Sequence, residues 1–225
     1  MNASEEQRRD VCTERLCLRL PFPEDAAALA GLMGPEISAR LASWPVHLAP
    51  EAAAARLGEA RAAAMAGLAL PMVITRRDGG EIVGWISAAR SEADRNRAVL
   101  TYWLGDRFQR EGLMREAAPA ALAAIFNQMG VSEVRAAVQP DNAASRAVLR
   151  GLGMRPLGLG HIWCAARGRE EQCEWWTVLR PIETILPQTD VAQDRPPAHA
   201  ASCTDGAGVH AVPKDHPGEL RAGAA

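Results

Sequence analysis

The sequence predicts a domain of mixed α/β class, a twisted mixed sheet of about seven strands flanked by about four helices. Three observations predict it. Up to about residue 182 the apolar period switches repeatedly between two and about 3.6 residues. Hairpin signals such as Asp78-Gly79-Gly80 alternate with strand–helix–strand stretches, which gives a sheet of mixed direction. A chain of 225 residues that is 48% hydrophobic can bury one substantial core.

The elements follow in order. Leu16-Cys17-Leu18-Arg19-Leu20 alternates as a strand. From Pro23, the residues Ala26, Leu29 and Met33 share one helix face, and Gly34 with Pro35 is the stop. Pro50 opens a second helix where its missing N–H costs nothing, and Ala53, Leu57, Ala60 and Ala64 carry it to about Ala66. Residues 72–75 and 81–87 flank the Asp78-Gly79-Gly80 turn, and 99–104 is a further strand. The loop from Gly105 to Gly112 leads into a helix that ends near Met129, with Ala118, Leu122, Ile125 and Met129 as its buried stripe. Pro119 removes one of its internal hydrogen bonds and is expected to kink it. Residues 131–138 form a strand and 142–151 a short helix. Residues 156–165 and 173–179 form a terminal hairpin around Arg167-Gly168.

Composition changes near Pro181. Residues 183–225 hold no Phe, Trp or Tyr and are punctuated by Pro187, Pro196, Pro197, Pro213 and Pro217. Such a stretch cannot bury enough apolar surface to offset its ordering entropy. The expected organisation is therefore one domain over 11–182 and a disordered Ala/Pro/Gly-rich tail over 183–225.

Charge and composition exclude several functions. The net charge of −2 offers no basic excess for phosphates, which argues against a nucleic-acid partner. No apolar run reaches the ~18 residues of a membrane span, the longest being 62–74, interrupted by Gly67 and Pro71. The polar N-terminus is unlike a secretory signal. Five cysteines, odd in number and without a CxxC pair, argue against a metal site and against a disulfide framework, and fit a reducing cytoplasm. Cys164 and Cys173 are expected to face each other across the last hairpin as a reduced pair.

The informative segment is Phe108-Gln109-Arg110-Glu111-Gly112-Leu113-Met114-Arg115-Glu116-Ala117. Here a strand ends, a loop turns and a helix begins. Free backbone N–H groups and the positive end of the helix dipole suit a diphosphate, and Gly112, without a Cβ, lets phosphate oxygens approach. Taken alone, this pattern is equally that of an ordinary helix start.

Two further segments add to it, Pro140-Asp141-Asn142-x-x-Ser145-x-x-x-Leu149-x-x-x-Gly153-Met154 and Thr13-Glu14-Arg15-Leu16-x-Leu18-Arg19. With Gly84 and Tyr102-Trp103-Leu104-Gly105, the sequence resembles the GNAT acetyltransferases over about residues 12–180. It is most similar to the subgroup that acetylates protein N-termini, ribosomal ones especially. The family's loop pattern is Gln/Arg-x-x-Gly-x-Gly/Ala, matched by Gln109 and Gly112, with the bulkier Met114 in the last place.

The resemblance implies that acetyl-CoA is the co-substrate, held in a splayed gap between two central parallel strands, 99–104 and 131–138. The backbone of Trp103, Leu104 and Gly105 would pair with the pantetheine arm. Gln109, Arg110, Gly112, Leu113, Met114 and Arg115 would hold the pyrophosphate, and Asn142 the pantetheine. Ser145 would assist the departing thiolate, or else serve only as a residue of a helix that Asn142 caps. Many relatives carry a Glu in the strand where this chain has Val99. Glu174 is an alternative base or a solvated strand carboxylate. Trp44, His47 and Tyr102 are the acceptor-side expectations. His161 reads as a base or, more simply, as a partly buried structural residue. One of the adjacent Trp175 and Trp176 should pack in the core, and the other should face the opposite side.

The expected activity is acetyl transfer to a primary amine, foremost a protein α-amine. A small-molecule amine and a non-catalytic acyl-CoA-binding role are the alternatives. The sequence leaves monomer and homodimer equally open.

Overall fold

Eight strands form one sheet in the computed structural model, which describes residues 10–181. The expected tail lies outside the described residues. In chain order the elements are β1 (Val11–Cys12), β2 (Leu16–Arg19), α1 (Ala26–Leu32), α2 (Pro35–Ser38), α3 (Pro50–Met65), β3 (Ala69–Arg76), β4 (Ile82–Arg90), β5 (Arg97–Leu104), α4 (Leu113–Met129), β6 (Glu133–Val138), α5 (Ala143–Gly151), β7 (Arg155–Cys164) and β8 (Arg169–Leu179). The sheet order is β1-β2-β3-β4-β5-β6-β8-β7. Every neighbouring pair is antiparallel except β5 and β6, which are parallel and joined through α4.

The count exceeds the sequence expectation by one strand and one helix. β1 has two residues, too few for a period to show. Pro35, read as a stop, instead stands in the first turn of the one-turn α2, where a proline is tolerated. β3 begins three residues earlier than the alternation suggests and passes through Pro71, opposite Ser87 of β4. That proline lies beyond the β2 pairing, which ends at Val73, so β3 has a partner on one side alone there. Helix α4 continues through Pro119.

Alternation places two cores on the two faces of the sheet. Leu16, Leu18, Ile74, Ile86 and Leu100 face Leu113, Ala117, Ala121 and Ile125 of α4. On the other face, Val73, Trp85 and Trp103 meet Leu29 of α1, Leu57 of α3 and Trp44 of the intervening loop. Gly84 is required by a close approach, since a Cβ there would stand 2.3 Å from the Trp103 carbonyl oxygen. Trp176 packs in the α4-side core, and Trp175 lies over Gly160.

Two expectations about cysteines are corrected. Cys12 and Cys17 are joined by a disulfide. They are direct cross-strand partners in the β1–β2 hairpin, a proximity that register creates and residue spacing alone conceals. Cys164 and Cys173 are both buried and free but are not opposite one another: Cys173 pairs with Gly160 and Cys164 with Arg169. The chain-entropy estimate for so short a loop predicts that Cys12→Ser costs about 2 kcal/mol. Denaturant titration with and without a dithiol checks this, and the dithiol should erase the difference between the two proteins.

Candidate active site

The parallel strands part where the site lies. Pairing between β5 and β6 is confined to Arg97–Glu133, Ala98–Val134 and Val99–Arg135. Beyond Val99, β5 stays paired to β4 as far as Leu104, while β6 stays paired to β8 as far as Val138. Their facing backbone edges are therefore open to an extended, amide-bearing chain. The side chain of Gln109 turns back across this end, donating from Nε2 to the Leu104 carbonyl at 3.3 Å and to Asp106 Oδ1 at 3.1 Å. Gln109 thus fixes the loop's exit from the strand.

The loop has two left-handed residues in close succession, Arg110 at φ 66° and Gly112 at φ 78°. Arg110 is the one non-glycine residue with positive φ among those described, and such backbone conformations cluster at ligand sites. Gly112 is the N-cap of α4, one position before the helix begins. The first bond of the helix runs from the Glu116 N–H to the Gly112 carbonyl, so the amides of Gly112, Leu113, Met114 and Arg115 fall outside the ladder. A Cβ on Gly112 would meet nothing nearer than Arg15 Nη2 at 3.8 Å, so the space above this turn is open. Leu113 and Met114 point into the core and offer their amides alone. Met114 therefore leaves the loop uncrowded, although its bulk stands where the family pattern has a small residue. Arg110 and Arg115 are exposed and have no ion-pair partner among the described residues. These features fit a diphosphate.

The β1–β2 turn holds this loop from beneath, which the sequence reading missed. Glu116, in the first turn of α4, accepts from the Thr13 hydroxyl at 2.6 Å, the Arg15 amide at 2.7 Å and Arg15 Nε at 2.6 Å. Burial pushes the Glu116 carboxyl up, but these bonds more than offset it and hold it below the usual carboxylate range. Arg15 Nη1 also donates to the Glu111 carbonyl at 3.2 Å, and Arg76 pairs with the Glu111 carboxylate at 2.7 Å. The signal was present in Thr13-x-Arg15, but only the sheet brings that segment to α4.

At the other end of the gap, Asn142 caps α5, its Oδ1 accepting the Ser145 N–H at 3.0 Å. Ser145 Oγ lies 2.7 Å from the Tyr102 hydroxyl, which also donates to the Ser145 carbonyl at 3.2 Å. Burial pushes the Tyr102 phenol up to about 12, the bond with Ser145 opposing it only in part. Tyr102 therefore remains a protonated donor throughout the neutral range.

The acceptor-side expectations fare differently. Trp44 is 2% exposed and packs edge-on against Trp85 and Trp103, so it is a core residue and lines no cleft. His47 is exposed on the loop before α3, and His161 is exposed on β7, not partly buried as expected. The Trp103 indole is buried in the core on the α3 side of the sheet, and its N–H is unpartnered among the described residues. Glu174 accepts from the Trp176 indole N–H at 2.9 Å and pairs with Arg146 at 3.2 Å. A small cleft lies past the end of β6, among Arg40, Gln139, Arg167, Glu171 and Cys173. The β7–β8 turn closes over it, with the Ala166 N–H on the Ala42 carbonyl at 3.0 Å and Arg167 Nη1 on the Ser38 carbonyl at 2.9 Å.

A family profile described as an acetyltransferase (GNAT) domain matches residues 15–155. The chain belongs to the GNAT acetyltransferase family. As a GNAT enzyme it uses acetyl-CoA as co-substrate. Among curated proteins none matches the chain. Solved acetyltransferase structures do. A putative ribosomal-protein-serine acetyltransferase from Vibrio cholerae is 21% identical with a TM-score of 0.65, over 76% of this chain and 98% of that one. A ribosomal-protein alanine acetyltransferase from Vibrio fischeri is 21% identical with a TM-score of 0.65, over 76% and 96%. RimJ of Mycobacterium smegmatis, solved with CoA-disulfide, is 25% identical with a TM-score of 0.64, over 77% and 84%.

Proposed function

We propose that this acetyltransferase modifies the N-terminal α-amine of a protein, with ribosomal proteins as the acceptor class. One observation carries the reading: the carboxylates around the open end of the gap are engaged by arginines. Asp141 pairs with Arg40, Glu171 with Arg167 and Arg169, and Glu174 with Arg146. The Arg167 bond holds the Glu171 carboxyl down at about 2, and the Arg40 bond holds Asp141 below its ordinary value. Glu171 and Asp141, so stabilised, are weak bases. The attacking amine must then lose its proton largely unaided. An α-amine, with a pKa of about 7.7–8.0, does so near neutrality, whereas a lysine amine at about 10.4 does not. The named activities of the similar Vibrio structures support the same acceptor class.

In this mechanism the neutral amine attacks the thioester carbonyl, and the open β5 amides stabilise the oxyanion. The C–S bond breaks as the Ser145 hydroxyl gives its proton to the thiolate, and the proton that the new amide nitrogen sheds returns the serine to its neutral form through water. The Tyr102 hydroxyl, 2.7 Å from Ser145 Oγ, holds the serine hydroxyl in position at this end of the gap. The loop amides of 112–115 hold the diphosphate. Such an acceptor implies a cytoplasmic setting, where a reducing thiol pool would oppose the Cys12–Cys17 bond.

The test is thiol release from acetyl-CoA with peptides carrying a free N-terminal Ser or Ala, the same peptides N-blocked but containing Lys, and small amines. Turnover is expected with the free N-termini. Because the reactive form is the neutral amine, kcat/KM should rise with pH and level off above about 8. Turnover of the small amines alone would assign the enzyme to small-molecule acetylation, and tight CoA binding with no turnover would make it a binding module.

A further inference from the structure

We infer that Arg15, on the β1–β2 turn, is a diphosphate-binding residue of the acetyl-CoA site as well as an anchor of its loop. The inference rests on the loop of 109–115 being that site. The guanidinium divides its donors. Nε is committed to Glu116 at 2.6 Å and Nη1 to the Glu111 carbonyl at 3.2 Å. Nη2 has no hydrogen-bond partner among the described residues, yet it is the nearest atom to the open space above Gly112, 3.8 Å from where a Cβ would stand. That space is the one into which the amides of the α4 start open.

A planar guanidinium with one edge fixed presents its remaining N–H groups in a set direction, so little freedom is lost when a phosphate oxygen accepts from it. The charges agree. Glu116 and Glu111 would repel a diphosphate, but Arg15 and Arg76 already engage them. Arg15 is 44% exposed along its side chain, enough for a ligand to reach Nη2.

The test separates contact from anchoring. Arg15→Gln is titrated with CoA at several salt concentrations, and its turnover is compared on acetyl-CoA and on acetyl-pantetheine, which lacks the diphosphate. Loss of one charge-assisted bond should weaken CoA about ten- to a hundredfold. The salt dependence of binding should flatten, and kcat/KM should fall at least tenfold more for acetyl-CoA than for acetyl-pantetheine. Unchanged CoA affinity in the folded variant overturns the inference. So does an equal loss with acetyl-pantetheine at unaltered salt dependence, which would make Arg15 a structural anchor only. Arg15→Lys guards against a folding defect. A lysine can still pair with Glu116 but cannot reach the phosphate at the same time, so a normal Tm with weakened CoA is expected, and wild-type affinity overturns the claim. If CoA binding also survives a Cβ at Gly112, the loop assignment itself fails, a result distinguishable from failure at Arg15.

Discussion

Gly112→Val is expected to weaken CoA and acetyl-CoA alike by at least about a hundredfold. Both ligands carry the same diphosphate, and its oxygens must come within about 2.7–3.2 Å of consecutive amides. A branched side chain at the N-cap of α4 would fill the open space through which they approach. Losing two charge-assisted bonds at about 1.5–3 kcal/mol each gives that magnitude. The sequence alone suggests that folding would hardly suffer, because valine is only a modestly poor helix former. The structure corrects this. Gly112 stands at φ 78°, and a β-branched residue there costs of order 1–2 kcal/mol of backbone strain. Valine therefore lowers both affinity and Tm. Gly112→Asn separates the two effects, since asparagine tolerates the left-handed region yet still carries a Cβ. Calorimetric titration with CoA beside a thermal melt should show asparagine weakening CoA at a nearly unchanged Tm. Wild-type affinity in folded Gly112→Asn would mean that the loop does not cradle the phosphates.

Ser145→Ala is expected to lower kcat by about 10²–10⁴-fold with little change in the KM for acetyl-CoA, the range general acid assistance ordinarily supplies. Stability should change little. Asn142 caps α5 through the backbone N–H of residue 145, which alanine retains, and only the side-chain contact of Oγ with Tyr102 is lost. Tyr102→Phe should lower kcat by less, because the Ser145 hydroxyl persists but is no longer held in position. Since burial keeps the Tyr102 phenol up at about 12, its donation should contribute no pH dependence between 6 and 9. An unchanged kcat in Ser145→Ala, with chemistry rate-limiting, would reduce Ser145 to a helix residue.

Much of this protein is legible without coordinates, because local chemistry decides it. Alternation gave β2, β5 and β6. Pro50 marked the start of α3, and Gly130 stands just past the end of α4, as a helix of that period requires. The loop from Gln109 to Arg115 declared itself through a glycine at a strand-to-helix turn, and Asn142 through its distance from Ser145. These are relations among residues a few positions apart, where backbone geometry depends on residue type. Register and long-range packing decided the rest. Cys12 meets Cys17 because two strands pair, and Cys164 misses Cys173 because their hairpin is offset. Trp44 is a core residue because two tryptophans from other strands enclose it, and Tyr102 meets Ser145 because β5 and α5 converge on one end of the gap. Arg15 reaches the loop across a separation of 101 residues to Glu116. No periodicity encodes such a contact: it exists only once the sheet has brought the β1–β2 turn against the first turn of α4.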